Sequence, residues 1–219
     1  MRGREEKSER LLIHVLNSSP IEVHWVALAG HSFKVVALDG NPVLDEVRKH
    51  VQAAGMGIVV EYAGASTKPV WNQPDDLVWN YRQFAAPTST AVRDKEVDRI
   101  ELSFDSKFQG HGNEELWRIN GKSYPNNDEP VLKTGQRYRL VMKNLSMDDH
   151  PMHLHRHLFE VRQVGGSSEM YGLKKDLVLV PAKSTAEVEF VANNPGLTLF
   201  HCHQQDHMDR GFMMVFRYA

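Results

Sequence analysis

Three stretches of this 219-residue chain alternate apolar and polar side chains with a period of two, and that period most limits what the chain can become. Arg99 to Phe104 sets Ile100, Leu102 and Phe104 against Arg99, Glu101 and Ser103. Arg137 to Lys143 sets Tyr138, Leu140 and Met142 against Arg137, Arg139 and Lys143. Ala186 to Val191 turns Val188 and Phe190 inward and leaves Glu187 and Glu189 toward water. Successive strand side chains point to opposite faces, so this pattern, bounded by Gly, Pro, Asn and Asp clusters, predicts half-buried antiparallel strands. Shorter apolar runs at Leu11–Leu16, Ile58–Tyr62, Leu177–Val180 and Phe212–Tyr218 add further strands. Helical spacing occurs at Leu44 to Ala54, through Leu44, Val47 and Val51. Many short strands with frequent turn signals predict an all-β sandwich or barrel and argue against a βαβ sheet.

Residues 65–98 carry prolines, four aromatic residues and no clean periodicity, and are expected to connect an N-terminal β unit (1–64) to a C-terminal one (99–219). A loop that long inside one compact domain would be unusual. The N-terminal unit has strand material for about half a sandwich. A net charge of −2 gives no excess that would advertise nucleic acid or an anionic membrane as a partner. No apolar run reaches the roughly 18 residues a spanning helix needs. The first residues, MRGREEKSERLLIHVL, are too polar for a signal peptide.

The chain has one cysteine and twelve histidines, seven of which lie in two clusters. A single cysteine excludes a disulfide within the chain and leaves an inert thiol, a nucleophile or a metal ligand. The clusters are His150-Pro-Met-His153-Leu-His155-Arg-His157 and His201-Cys202-His203 with His207 beyond it. Imidazole together with thiolate suits copper or zinc, whereas magnesium and calcium want carboxylates. Strand alternation then sorts the donors. His201 and His203 project one way and Cys202 the other; His153 and His155 share a face, and His150 points opposite. One side therefore gathers His150 and Cys202, with His207 able to curl back to them. The other gathers His153, His155, His201 and His203. A His₂Cys trio is the ligand set of a blue-copper electron-transfer site. The Cys202 backbone joins the two sides.

The pair HPMHLHRHLF and HCHQQDHMDRGF closely resembles the copper-binding signatures of multicopper oxidases, the group that contains laccases. Trp117 to Pro125 (WRINGKSYP) is similar to the opening of that family's last cupredoxin domain, and Val15–Ser19 and Gly30–Gly40 resemble segments of its middle one. The resemblance implies a cupredoxin-like Greek-key β-sandwich, one complete domain preceded by a partial one. It implies that His150, Cys202 and His207 bind type 1 copper, His153 type 2 copper, and His155, His201 and His203 the type 3 pair. Cys202, His201 and His203 would then carry the catalytic electron transfer. His157 falls where the family keeps a residue that does not ligate. Phe212 takes the axial position, leaving a three-coordinate ion with a raised reduction potential. The implied activity is one-electron oxidation of a small-molecule reductant (a phenol, an aromatic amine or a metal ion) coupled to reduction of O2 to water. The family is typically exported, which implies a periplasmic or extracellular setting.

One departure stands out. The family's trinuclear cluster takes eight histidines in four His-x-His pairs, two from its first domain. Here His153/His155 and His201/His203 supply only two pairs, and nothing similar precedes residue 150. The expectation is a type 1 site plus half a type 2/type 3 site, to be completed by a missing N-terminal domain or another chain. The alternatives are a type 1 copper electron-transfer protein without oxidase activity, and a zinc or storage protein using the histidines alone. His14, His24 and His31 are expected to pack or face solvent; Met147, Met152, Met208, Met213 and Met214 are expected in the core. Asp206 is expected either to relay protons or to be solvated.

Overall fold

The computed structural model describes residues 4–5, 12–16, 33–39, 41–42, 50–51, 61–62, 80–86, 97–109, 114–167 and 169–219. These fall in two units, Met1–Val35 with Lys49–Trp79, and Val36–Arg48 with Asn80–Ala219. Among the described residues before position 80 the strands are β1 (Arg4–Glu5), β2 (Phe33–Lys34), β3 (Ala37–Leu38), β4 (Asn41–Pro42), β5 (His50–Val51) and β6 (Glu61–Tyr62). In the first unit β1 pairs in parallel with β6, and β2 antiparallel with β5. The helix expected over Leu44–Ala54 is corrected at its two described positions: His50 and Val51 are extended and paired, strand pairing overriding the weak helical spacing. Its other residues lie outside the described ones. Leu12–Leu16, expected as strand, has no regular structure and its side chains are exposed. Ile58–Tyr62 is described only at β6.

The second unit is a two-sheet sandwich, as the alternation predicts. Its further elements are β7 (Val97–Gln109), β8 (Glu114–Ile119), β9 (Val131–Leu132), β10 (Arg137–Asn144), β11 (His150–Leu154), β12 (Phe159–Val164), β13 (Lys174–Lys175), β14 (Leu177–Val180), β15 (Thr185–Val191), β16 (Thr198–Cys202), the short helix α1 (Gln205–Asp209) and β17 (Met213–Tyr218). One sheet runs β13-β12-β15-β10-β7-β8 and the other β14-β11-β16-β17-β9. The three alternating stretches of the sequence are neighbours in the first sheet. Leu140 lies between Ile100 and Val188, and Met142 between Leu102 and Ala186. Their inward side chains meet the second sheet, Phe104 lying 6.3 Å from Phe200 and 5.1 Å from Phe212 between ring centroids. Each such buried side chain contributes about 1.5–3 kcal/mol. β7 and β10 run parallel, not antiparallel as the alternation alone suggested; period two reports burial and is blind to strand direction.

Glu189 also departs from expectation. It leaves only 4% of its surface exposed, although it lies on the polar parity of β15. Arg139, its cross-strand partner, and Arg137 and Arg162 all approach its carboxylate, so the outer face of this sheet buries a paired charge cluster. Within the stretch read as a connector, Tyr81–Phe84 forms a 3₁₀ turn with Tyr81 and Phe84 buried. Ala86 makes two backbone hydrogen bonds with Tyr171 of the same unit.

Candidate metal centre

β11 and β16 are antiparallel neighbours, with Met152 opposite Cys202 and His153 opposite His201. His150, Met152 and Cys202 therefore face the sandwich interior, while His153 and His201 face outward. After Cys202 the chain turns through α1, a helix the sequence reading did not anticipate. That single turn returns His207 toward the thiol. Cys202 Sγ then lies 3.9 Å from Nδ1 of His150 and 3.7 Å from Nδ1 of His207. A trigonal ion with metal–sulfur near ~2.3 Å and metal–nitrogen near ~2.0 Å spans ~3.7 Å between sulfur and nitrogen. The donor set and its separations fit a His₂Cys metal.

The fold closes this pocket. Phe212 N donates to His207 O at 3.0 Å and Cys202 N to Phe212 O at 3.1 Å, tying the turn to its strand. Gly211 sits at φ +94°, where a Cβ would come within 2.8 Å of Ser123 Cβ, so only glycine lets the turn lie against β8 and its following loop. Trp117 N, in turn, donates to Arg210 O at 3.0 Å. The Trp117 ring lies 4.2 Å from His207 and 4.8 Å from His150, with Phe212 4.8 Å from His150, all between centroids. His150, Cys202 and Phe212 are fully buried and His207 half-buried.

Burial sets the protonation of the metal-free pocket. It pushes the Cys202 thiol up to about 12, against a backbone hydrogen bond from Gln204. Burial, with the nearby His207, pushes His150 down to about 3. Burial lowers His207 too, while the carboxylates of Asp148, Asp206 and Glu115 pull it back up. The pocket thus presents a thiol and two neutral imidazoles, and a metal binding there would displace the thiol proton.

The outward face carries the second cluster. Nitrogens of His153, His155 and His201 all lie within 4.8 Å of one another. His203 stands beside them, its ring 6.0 Å from that of His153 and 5.9 Å from that of His201. The Nδ1 atoms of His153 and His201 lie 2.7 and 2.8 Å from the carbonyls of Asp176 and Cys202, which engages each Nδ1 and leaves Nε2 as the atom each ring could offer a metal. His155 Nε2 is 3.0 Å from His201 Nε2. Burial and then mutual repulsion lower His155 and His201.

His157 is not brought into either group: it bonds the His155 carbonyl through Nδ1 and Tyr218 Oη, 2.6 Å away, through Nε2. His14 is exposed, and His24 and His31 lie outside the described residues. Asp206 is exposed and pairs with Arg210 one turn on. Met152 and Met214 are core, and Met208 is half-buried. Met147, however, is 76% exposed on a loop, and Met213 is half-buried on the face of His201 rather than in the core. The sequence reading missed Asn144 and Ser146 beside His150. The signal was available: Asn144 follows Tyr138, Leu140 and Met142 on the inward parity of β10, where a polar residue must have partners.

Known proteins resemble this chain in sequence and in fold. The profile of the multicopper oxidase family matches residues 99–219. The multicopper oxidase MmcO of Mycobacterium tuberculosis (strain ATCC 25618 / H37Rv) is 29% identical over 243 residues, covering 95% of this chain and 46% of the relative. The chain thus spans about half the length of that relative. Among solved structures, the multi-copper oxidase of Pseudomonas thermotolerans superposes with a TM-score of 0.60 at 21% identity, over 91% of this chain and 53% of that one. The laccase of Botrytis aclada gives 0.61 at 17% identity, over 88% and 48%. These two likenesses concern the fold. Among the described residues no helix is long and apolar enough to cross a membrane.

Proposed function

We infer, from the premise that this chain belongs to the multicopper oxidase family, that its interior trio is a type 1 copper site and its outward cluster half of a type 2/type 3 site. The observation that carries this reading is the placement of Cys202 Sγ between the Nδ1 atoms of His150 and His207. His150, Cys202 and His207 would hold the type 1 copper. His153 would serve the type 2 copper, and His155, His201 and His203 the type 3 pair. Copper bound at these positions supplies one-electron redox chemistry.

The protein's own part is positioning and insulation. Trp117, Phe104 and Phe212 line the interior pocket and exclude water. Phe212 offers no donor atom, which favours the reduced ion. His207, the one of the three ligands whose residue is not fully buried, lies nearest solvent, and would be the place where a small reductant (a phenol, an aromatic amine or a metal ion) gives up its electron. Cys202 is bonded through the backbone to His201 and His203, a short covalent route to the face where O2 is reduced. The outward cluster offers four imidazoles, so completing it needs further histidines from another domain or another chain. That same count favours the second reading, a type 1 electron-transfer protein without oxidase activity. A periplasmic or extracellular setting accords with a thiolate that copper occupies and that has no second cysteine to pair with.

Copper loading of the full chain tests the reading. The expected result is an intense blue absorption that Cys202→Ser abolishes, with one copper fewer per chain by metal analysis. Bound copper without that absorption, or a copper content unchanged in Cys202→Ser, would overturn it. Oxygen uptake with a phenol or diamine separates the two readings.

A further inference from the structure

Asn144, Ser146 and His150 form a buried relay whose direction is fixed by counting protons. Asn144 is 1% exposed, and its Nδ2 lies 2.7, 3.2 and 3.1 Å from the carbonyls of Asp148, Val180 and Pro181. Those three acceptors fix the amide orientation, leaving Oδ1 on the other side as an acceptor only. Oδ1 receives the Ser146 backbone N–H at 2.9 Å and the Ser146 hydroxyl at 2.8 Å. The hydroxyl's other neighbour in reach as an acceptor, Asp148 O at 3.2 Å, is a carbonyl as well. Ser146 thus has a single proton and gives it to an acceptor-only oxygen. Its Oγ can only accept from His150 Nε2, 2.8 Å away, with Asp148 N–H as the second donor at 3.3 Å.

We propose that Ser146, held by Asn144, is a positioning residue that fixes His150 as its Nε2–H tautomer and presents a bare Nδ1 toward Cys202. The inference rests on the reading of His150 as a metal ligand. In water a neutral imidazole exchanges between two tautomers, and the wrong one places a proton where the metal must bind. The relay removes that choice before any metal arrives, and it fixes the ring's rotation. Asn144-Leu145-Ser146 matches a glycosylation acceptor, but its amide is buried and bonded three times, so in the folded chain it serves the metal pocket.

The test is histidine ¹⁵N NMR on the metal-free, full-length chain. His150 should show a protonated Nε2 and a bare Nδ1, and Ser146→Ala should give a tautomer mixture. Metal affinity, titrated with Zn²⁺ and with copper, should fall about 10–100-fold in Ser146→Ala. Ser146→Thr, which keeps the hydroxyl, should restore both the tautomer and the affinity to within about threefold, on the same scale of effects. A protonated Nδ1 in the wild-type chain, which needs no variant to fold, would overturn the proposal. So would an unaltered tautomer in a folded Ser146→Ala. An Nε2–H His150 in a chain that never turns blue would support the relay while counting against the type 1 reading.

Discussion

The two histidine groups sit back to back on β11, β16 and the segments that follow them, and yet differ in almost every physical respect. The interior one is finished. Its three donors lie at metal-binding separations, aromatic rings enclose them, and every hydrogen-bonding position of Ser146 behind His150 is used. The outward one is open: His155 and His203 are exposed, neighbouring imidazoles make it harder for His155 to take up a proton, and two of its members contact each other through the Nε2 atoms a metal would take. The strand alternation that makes both groups is the same. What differs is enclosure, and enclosure comes from other parts of the unit: β7, β8 and the turn around Gly211. Donor residues alone make a cluster; the packing behind them makes a site.

Acid should expose that difference most strongly. Above about pH 6.5 His150 is neutral both folded and unfolded, and its burial costs nothing in protonation. As the pH falls, the unfolded chain takes up a proton that the folded chain refuses until about 3. The unfolded state then binds more protons, so stability falls with falling pH, by on the order of 3 kcal/mol for this residue between pH 7 and 4 at about 1.4 kcal/mol per unit. Urea denaturation of the metal-free chain between pH 7 and 4 should show the loss. A His150→Leu variant should flatten it more than His155→Gln does, and equal flattening would erase the contrast between the two groups.

Gly211→Ala comes next. It forces a side chain into φ +94° and against Ser123, and should cost about 2–4 kcal/mol in denaturant. Because the turn sets Trp117 on His207, the blue absorption of copper-loaded protein should shift or weaken while the outward histidines keep their NMR signals. If both groups respond alike, they are not separately built.

The smallest effect is expected outside. Arg156 follows His155 at φ +64° and bonds Asn194 and Pro195 across the loop. Arg156→Gly relieves the strain but drops those surface bonds. The two terms are each about 1 kcal/mol, so stability should change by no more than about that, with the interior absorption unmoved. A loss of several kcal/mol would show that the Arg156 bonds hold the open face as firmly as packing holds the interior.

Much of this was legible in the chain itself. Period two located β7, β10 and β15, and parity separated the interior donors from the outward ones. The rest depended on contacts between residues far apart in sequence. Glu189 follows the polar parity of its strand, but three arginines from other positions let it be buried. The helix carrying His207 is one turn long, too short for a periodic signal. Ser146 sits on a loop, where parity has no meaning, and only Asn144 at the inward end of β10 hinted at it. Met147 sat near the metal residues and still ended in solvent, because proximity in sequence says little about a loop's direction.

The placement of Cys202 between His201 and His203 on a strand paired on both edges has a consequence for error. Sliding β16 by a single residue would carry the thiol out to solvent and drive the imidazoles into the hydrocarbon interior, and the bonds to β11 and β17 forbid that slip. No halfway state keeps one group and spoils the other at this strand. The two clusters are written in one register, as the two sides of a sheet of paper share its edges, and an insertion or deletion of one residue there would cancel both at once.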